Sequence, residues 1–270
     1  MRLFVLASGS GGNAAVVQTG ESCVLVDCGI SYRQLRSRMR PLGIEPEQLG
    51  AVLLSHEHDD HVKGLDVFLR HHPVPVLATA GTAGAMTSPP AAVETLRAGR
   101  EVRLGDLKVV PVPTSHDAHE PVGFVFEARG CRAGVVTDTG VLTELLVERL
   151  SGCHALLLEC NHDRDLLRYG PYPWPLKQRI ASRTGHLSNE QACTALERLA
   201  HSGLEVVVGM HLSQTNNRPE MVVRELERIV AGGGVGVAVA AQNQAVRVDV
   251  TGSAPRTGQL ELFAGHGGVA

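Results

Sequence analysis

The chain has 270 residues, a formal net charge of −3 at pH 7, 43% hydrophobic and 20% charged residues. That balance belongs to a folded globular protein and excludes both a generally basic nucleic-acid coat and a disordered chain. Aromatic residues make up only 3%, so the core has to be built from Val, Leu and Ala.

The N-terminal stretch MRLFVLASGSGGNAAVV carries one Arg and a short apolar run before polar Gly/Ser sequence, which does not match a signal peptide. No apolar stretch reaches the roughly 18 residues of a membrane span. A cytoplasmic protein with no membrane partner is expected. Strand-length apolar runs follow in order: RLFVLA, AAVVQT, CVLVDC, AVLLS, VPVLAT, LKVVPV, GFVFEA, AGVVTD, ALLLEC, EVVVGM and GVAVA. Helical patterns fall between some of them, at 31–40, 62–72, 140–150, 188–201 and 217–230. In NEQACTALERLA the apolar positions Ala192, Ala195, Leu196 and Leu199 recur at helical spacing, with Ser188 or Asn189 as N-cap. Early strands join through short turns and later ones alternate with helices, which predicts two sheets covered outside by helices, a four-layer α/β arrangement. The 161–187 segment, with Pro171, Pro173 and Pro175, is expected to be a long loop. One domain over 1–250 is expected, followed by a flexible Gly- and Ala-rich tail over 251–270. The six cysteines form no C-x-x-C pair and are expected as reduced, half-buried thiols.

The stretch SHEHDDH, residues 55–61, stands directly after the apolar run AVLL. His56 and His58 are two apart, so in an extended segment both side chains leave on one side and reach one ion. Asp60 and His61 follow where the chain turns into a helix, and that change of direction aims them at a second position. A donor set of imidazole and carboxylate without thiolate suits Zn²⁺, with Mn²⁺ or Fe²⁺ as alternatives. Two ions need further ligands at other strand ends. His116 after LKVVPVPTS, Asp138 after AGVVT and His211 after EVVVGM are polar residues just beyond apolar runs.

H-x-H-x-D-H after a strand, followed by these three residues, resembles the metallo-β-lactamase superfamily over most of the chain. The stretches LASGSGGNA, SHEHDDHVKGL, TSHDAHEPVGF, ECNHD, GPYPWPLKQRI, GHLSNEQA and HLSQTNN resemble its YycJ/WalJ-like branch, exonucleases related to ribonuclease Z and ribonuclease J. The resemblance implies an αββα sandwich with the site at one edge between the sheets. It also implies two divalent ions: His56, His58 and His116 on one, Asp60, His61 and His211 on the other, and Asp138 bridging. Glu159 and His186 fall where ribonuclease Z-like enzymes place a carboxylate–histidine pair behind the leaving group, so the implied catalytic set is Asp60, Glu159 and His186. Asp27 in LVDCG matches a position that braces the first metal loop. The sequence has no room for the inserted domain of ribonuclease J and lacks the exosite arm of ribonuclease Z.

The activity so implied is two-metal phosphodiester cleavage of nucleic acid, DNA rather than RNA, from the 5′ end. Candidate substrate contacts are Ser8, Ser10 and Asn13 in the glycine-rich turn, together with Tyr172, Trp174, Lys177 and Arg179, where a base could stack beside cations. Further cations lie in YRQLRSRMR (Arg33, Arg36, Arg38, Arg40) and at Arg164, Arg168 and Arg183. The competing reading is a small-molecule hydrolase of thioesterase, lactonase or β-lactamase type, since the same metal pair would attack a carbonyl carbon equally well. The sequence leaves the oligomeric state open.

Overall fold

In the computed structural model, which describes residues 1–252 and 260–264, the apolar runs become strands whose two faces are both covered. The first sheet is formed by β1 (Arg2–Ala7), β2 (Ala14–Gln18), β3 (Cys23–Val26), β4 (Ala51–Leu53), β5 (Val76–Thr79), β6 (Glu94–Leu96), β14 (Gln244–Asp249) and β15 (Leu260–Ala264). Its spatial order is β15-β14-β1-β2-β3-β4-β5-β6. The second sheet is formed by β7 (Val102–Leu104), β8 (Leu107–Pro113), β9 (Val122–Ala128), β10 (Cys131–Val136), β11 (Ala155–Glu159), β12 (Val206–Met210) and β13 (Gly236–Val239), in the order β13-β12-β11-β10-β9-β8-β7.

Alternation along each strand divides the core into three layers. Leu3 and Val5 of β1 meet Phe124 and Phe126 of β9 and Leu157 of β11 between the sheets, while Phe4 and Leu6 face outward. On that outer side pack α1 (Tyr32–Met39) through Leu35 and Met39, and α3 (Leu65–His71) through Leu65 and Phe68. The outward Leu156 and Leu158 of β11 are covered by α5 (Glu144–Leu150), α8 (Asn189–Leu199) and α9 (Pro219–Ile229) through Leu146, Leu196 and Leu226. This is the four-layer αββα sandwich. Ser188, not Asn189, caps α8: its Oγ accepts from Gln191 N while Gln191 Oε1 accepts from Ser188 N.

The strands β3 to β6 are parallel, as are β10 to β13, and β8 runs antiparallel to β9 and therefore alongside β10. The chain consequently leaves β3, β4, β8, β10, β11 and β12 at one edge, where the two sheets open toward each other.

Two expectations are corrected. The 161–187 segment contains two short helices, α6 (Arg164–Tyr169) and α7 (Trp174–Ile180). Its prolines permit this because Pro173 is the N-cap of α7 and Pro175 lies in the first turn, where a missing N–H costs nothing. Within the expected tail, Leu260–Ala264 is a strand paired antiparallel with β14, from Gln244↔Ala264 to Val248↔Leu260; residues 253–259 and 265–270 lie outside the described residues.

Candidate metal centre and cleft

The loop after β4 is held before it delivers its histidines. Ser55 donates from N and Oγ to the two carboxylate oxygens of Asp27, both at 2.8 Å. The same Asp27 Oδ2 accepts from His61 Nδ1 at 2.8 Å. Asp60 follows in α2 (Asp59–Val62), and its carbonyl accepts from Asn13 N at 2.7 Å. Gly29 lies against that carbonyl so closely that a Cβ there would sit 1.7 Å from Asp60 O. Three of the non-glycine residues with positive φ are in this region: Asp27 at 57°, Asp138 at 57° and His211 at 54°. Left-handed backbone at such residues is a strained choice that concentrates at functional sites. Here it turns each side chain at a strand end back toward the seam between the sheets.

The seven residues His56, His58, Asp60, His61, His116, Asp138 and His211 are brought together. His56 Nε2 and His116 Nε2 lie 3.1 and 3.3 Å from His58 Nδ1. The other nitrogen of each outer ring is committed: His116 Nδ1 donates to the Gly185 carbonyl at 3.0 Å, and His56 Nδ1 to Ser55 Oγ at 3.0 Å. Two imidazole lone pairs therefore face one nitrogen of His58, which has at most one proton to offer. A cation resolves that conflict. Nitrogens each about 2.0–2.1 Å from one tetrahedral Zn²⁺ stand about 3.3 Å apart, close to the spacing observed. Asp60 Oδ2 lies 3.5 Å from both His61 Nε2 and His211 Nε2. Asp138 stands between the two groups, with Oδ2 3.3 Å from His61 Nε2 and Oδ1 3.8 Å from His116 Nε2. His211 is fully enclosed, its Nδ1 3.0 Å from Asp138 Oδ1 and 3.3 Å from Glu159 Oε1, and neither of its ring nitrogens nor Asp138 Oδ2 has a partner in good hydrogen-bond alignment. In sum, the donor atoms fall into clusters, among them His56–His58–His116 and Asp60–His61–His211, each spaced to hold a metal ion.

Electrostatics sort the same residues. Burial holds His56 and His116 below the usual histidine range, so they stand neutral as ligands should. Burial also opposes charge on His61 and His211, yet Asp138, with Asp27 beside His61, raises both well above it. Asp138 and Asp60 are held below the carboxylate range despite burial, by His61 and His211. Buried carboxylates and imidazoles are thus interleaved along the seam, each favouring the charged form of its neighbour.

Behind it sits a second pair. Glu159, the last residue of β11, is fully buried. Its Oε2 accepts from Thr139 N at 2.9 Å and Leu187 N at 3.1 Å, and its Oε1 lies 2.7 Å from His186 Nδ1. Burial alone would raise the carboxyl, but His186, with His211 beside it, brings it down to about 2, and the carboxylate in turn raises His186 against its own burial. His186 is partly exposed, with Nδ1 3.7 Å from Asp138 Oδ1.

A cleft of 270 Å³ opens over the cluster, and Ser10, Tyr172, Arg179 and His186 line it with His58, Asp60, His116, Asp138 and His211. Ser8, Asn13, Trp174 and Lys177 are not part of that lining. Ser8 is buried and its Oγ accepts from His211 N at 2.7 Å. Asn13 Nδ2 reaches Asp60 Oδ2 at 3.2 Å, so both brace ligands from behind. Trp174 is 65% exposed on α7, and Lys177 Nζ donates to the Arg168 carbonyl at 2.8 Å. Residues the sequence did not single out include Ser55, Gly185 and Asn161, whose Nδ2 donates to the His211 carbonyl at 2.9 Å. Asp117 is another: its Oδ1 is 3.3 Å from His116 Nε2 and its Oδ2 accepts from Arg179 Nε at 2.5 Å. The signal for these was adjacency alone, since each stands beside or within a motif that carries a ligand.

Residues 23–212 match a family model described as a beta-lactamase superfamily domain. Fold and donor set together define a metallo-β-lactamase-fold hydrolase. The chain is 34% identical over 242 residues to exodeoxyribonuclease YycJ of Bacillus anthracis, covering 88% of this chain and 92% of that one. It is 32% identical over 242 residues to exodeoxyribonuclease WalJ of Streptococcus pneumoniae, covering 87% and 90%. Among solved structures, the metallo-beta-lactamase fold protein YhfI of Bacillus subtilis matches with a TM-score of 0.69 at 14% identity, over 91% of this chain and 98% of that one. The chain belongs to the YycJ/WalJ-like branch of the metallo-β-lactamase superfamily.

Proposed function

We propose that the protein is a two-metal-dependent phosphodiesterase, a nuclease that degrades DNA from the 5′ end. The observation that carries this reading is the buried Glu159 holding His186 at 2.7 Å beside Asp138, in a chain whose curated relatives are named exodeoxyribonucleases. His56, His58 and His116 would hold one ion, Asp60, His61 and His211 the other, with Asp138 shared. Two divalent ions, Zn²⁺ or Mn²⁺ with Fe²⁺ as a further candidate, supply Lewis acidity toward a phosphoryl oxygen and toward water.

The chain's own residues do the rest. Asp27 and the Gly185 carbonyl fix the outer nitrogens of His61 and His116, so that the inner ones point at the seam. Glu159 fixes the His186 ring and favours its protonated form. From there His186 donates a proton to the departing sugar oxygen, a poor leaving group without it. Ser10, Tyr172 and Arg179 line the path of the strand, while Trp174 and Lys177 on α7 offer a base-stacking face and a cation outside the cleft. Asn13 and Ser8 keep Asp60 and the His211 backbone in place.

The test is purified protein with Mn²⁺ or Zn²⁺ against 5′- and 3′-labelled single- and double-stranded DNA and RNA, beside a lactone and a thioester. Stepwise release of nucleotides from DNA 5′ ends is expected. Rapid lactone or thioester hydrolysis with no nuclease activity under either metal would overturn the reading in favour of a small-molecule hydrolase.

A further inference from the structure

The helix α1 has a composition the cleft does not explain. Between Tyr32 and Arg40 it carries four arginines and no acidic residue, in a chain of net charge −3. Leu35 and Met39 bury its inner face, and Arg38 serves as its root. Arg38 donates to the Leu6 carbonyl at 3.0 Å, the Gln242 carbonyl at 2.7 Å and Asn243 Oδ1 at 3.1 Å. Arg33, Arg36 and Arg40 are different. All three are exposed, they recur at i, i+3 and i+7 on one face, and among the described residues none has a carboxylate within ion-pair distance. Arg70 with Asp66 and Arg198 with Glu144 are examples of exposed arginines that are paired, while others such as Arg97 and Arg100 stand singly among the described residues; α1 is distinguished by three on one face. Three exposed like charges on one face offer an anionic partner a concentrated positive surface.

The helix is also tied to the cleft. The Gln242 that receives Arg38 clasps the glycine turn, its Oε1 accepting from Gly11 N at 2.9 Å and its Nε2 donating to Gly12 O at 2.9 Å. Lys63 Nζ donates to the Gly11 carbonyl as well. Ser10 of this turn lines the cleft. At its other end, Tyr32 stacks on His71 at 4.4 Å and 12°, and the Arg36 guanidinium lies 5.7 Å over the same ring. The link to the cleft thus runs through Arg38 and the glycine turn, while Arg33, Arg36 and Arg40 lie on another face of the helix, outside the cleft lining.

We propose that Arg33, Arg36 and Arg40 form a second contact for the DNA backbone outside the cleft, so that the enzyme takes long polynucleotides in preference to short fragments. This rests on the nuclease reading of the cleft. Seven residues of helix from Arg33 to Arg40 span about 10 Å at 1.5 Å per residue, about three phosphate steps of 3.4 Å along the duplex axis for one strand. The contact is to phosphate, so it adds affinity without sequence preference.

The test combines Arg33→Ala, Arg36→Ala and Arg40→Ala in the metal-loaded full chain and compares it with the three Lys replacements. With a labelled oligonucleotide long enough to reach α1, KM is expected to rise about tenfold at unchanged kcat, and the slope of log KM against log salt to fall by about 2. The Lys variant should restore both. Wild-type KM and salt slope in the Ala variant, with DNA still cleaved, would overturn this inference and leave the nuclease reading intact. Loss of binding to phosphatidylglycerol vesicles without loss of DNA affinity would assign the strip to a lipid surface and equally overturn it. A wild-type protein that neither binds nor cuts DNA would sink the nuclease reading itself.

Discussion

His186 has one nitrogen committed to Glu159 and the rest of its ring open to the cleft, which separates its role from that of a ligand. General-acid catalysis contributes about 10²–10⁴-fold, and only where the leaving group needs a proton. His186→Ala should therefore lower DNA cleavage by about that factor yet largely spare bis(4-nitrophenyl) phosphate, whose nitrophenolate leaves unaided. His211→Ala should damage both, and equal losses for His186→Ala would mark that residue as structural or phosphate-positioning. Asp138→Ala should abolish activity and leave fewer than the two ions per chain expected by metal analysis of the unmodified protein, lowering the melting temperature by no more than chelation of that protein does; full activity in it would rule out a shared ligand. Much of this was legible beforehand, because His56 to His61 form a dense local motif and His116, Asp138 and His211 each end an apolar run. Ser8 and Asn13 were misread toward substrate because a glycine-rich turn looks the same in sequence whether its polar side chains point into a cleft or behind it. Burial and partners decide that, and neither is a property of the string.

At the scale of elements, α7 shows where pattern reading fails. A run of prolines reads as helix-breaking, but the cost of proline depends on position, and Pro173 and Pro175 occupy the start of the helix, where no N–H is needed. The strands β1–β5 and β8–β13 are legible because their covered faces leave unbroken apolar runs, whereas β6, β7, β14 and β15 carry polar or exposed positions and escape that signal. Trp174 is 65% exposed on α7, so Trp174→Ala should leave the melting temperature unchanged while weakening single-stranded DNA binding by about 1–3 kcal/mol. Unchanged affinity would remove α7 from the substrate path. Gly29 makes the opposite kind of prediction. With Asp60 O 1.7 Å from its would-be Cβ, Gly29→Ala must push the α2 loop away, lowering stability by about 3 kcal/mol and bound metal with it. A wild-type melt and full metal content would contradict that close approach.

Taken whole, the molecule keeps all six cysteines buried and free. Burial raises the Cys23, Cys153 and Cys193 thiols to about 11 and Cys28 to about 12, so the reactive thiolate is scarce at neutral pH. Iodoacetamide at pH 8 should modify none of the six in native protein and all of them in guanidinium, read by intact mass. The raised values also fix the sign of a stability change. The folded state holds these protons more tightly than the unfolded one, so their contribution is complete below about pH 9 and is lost as pH rises toward 11–12. A melting temperature flat across that window would refute the assignment.

Each proposed ion would draw its donors from both sheets: His56 and His58 from the first with His116 from the second, and Asp60 and His61 from the first with His211 from the second. The ligands therefore act as rivets across the seam of the sandwich, and occupancy and global unfolding share one free-energy cycle. Free metal at 100 times its dissociation constant should add about 2.7 kcal/mol per independent site to the folded state. Chelation should accordingly lower the melting temperature in step with lost activity, and restoring the ion should recover both together.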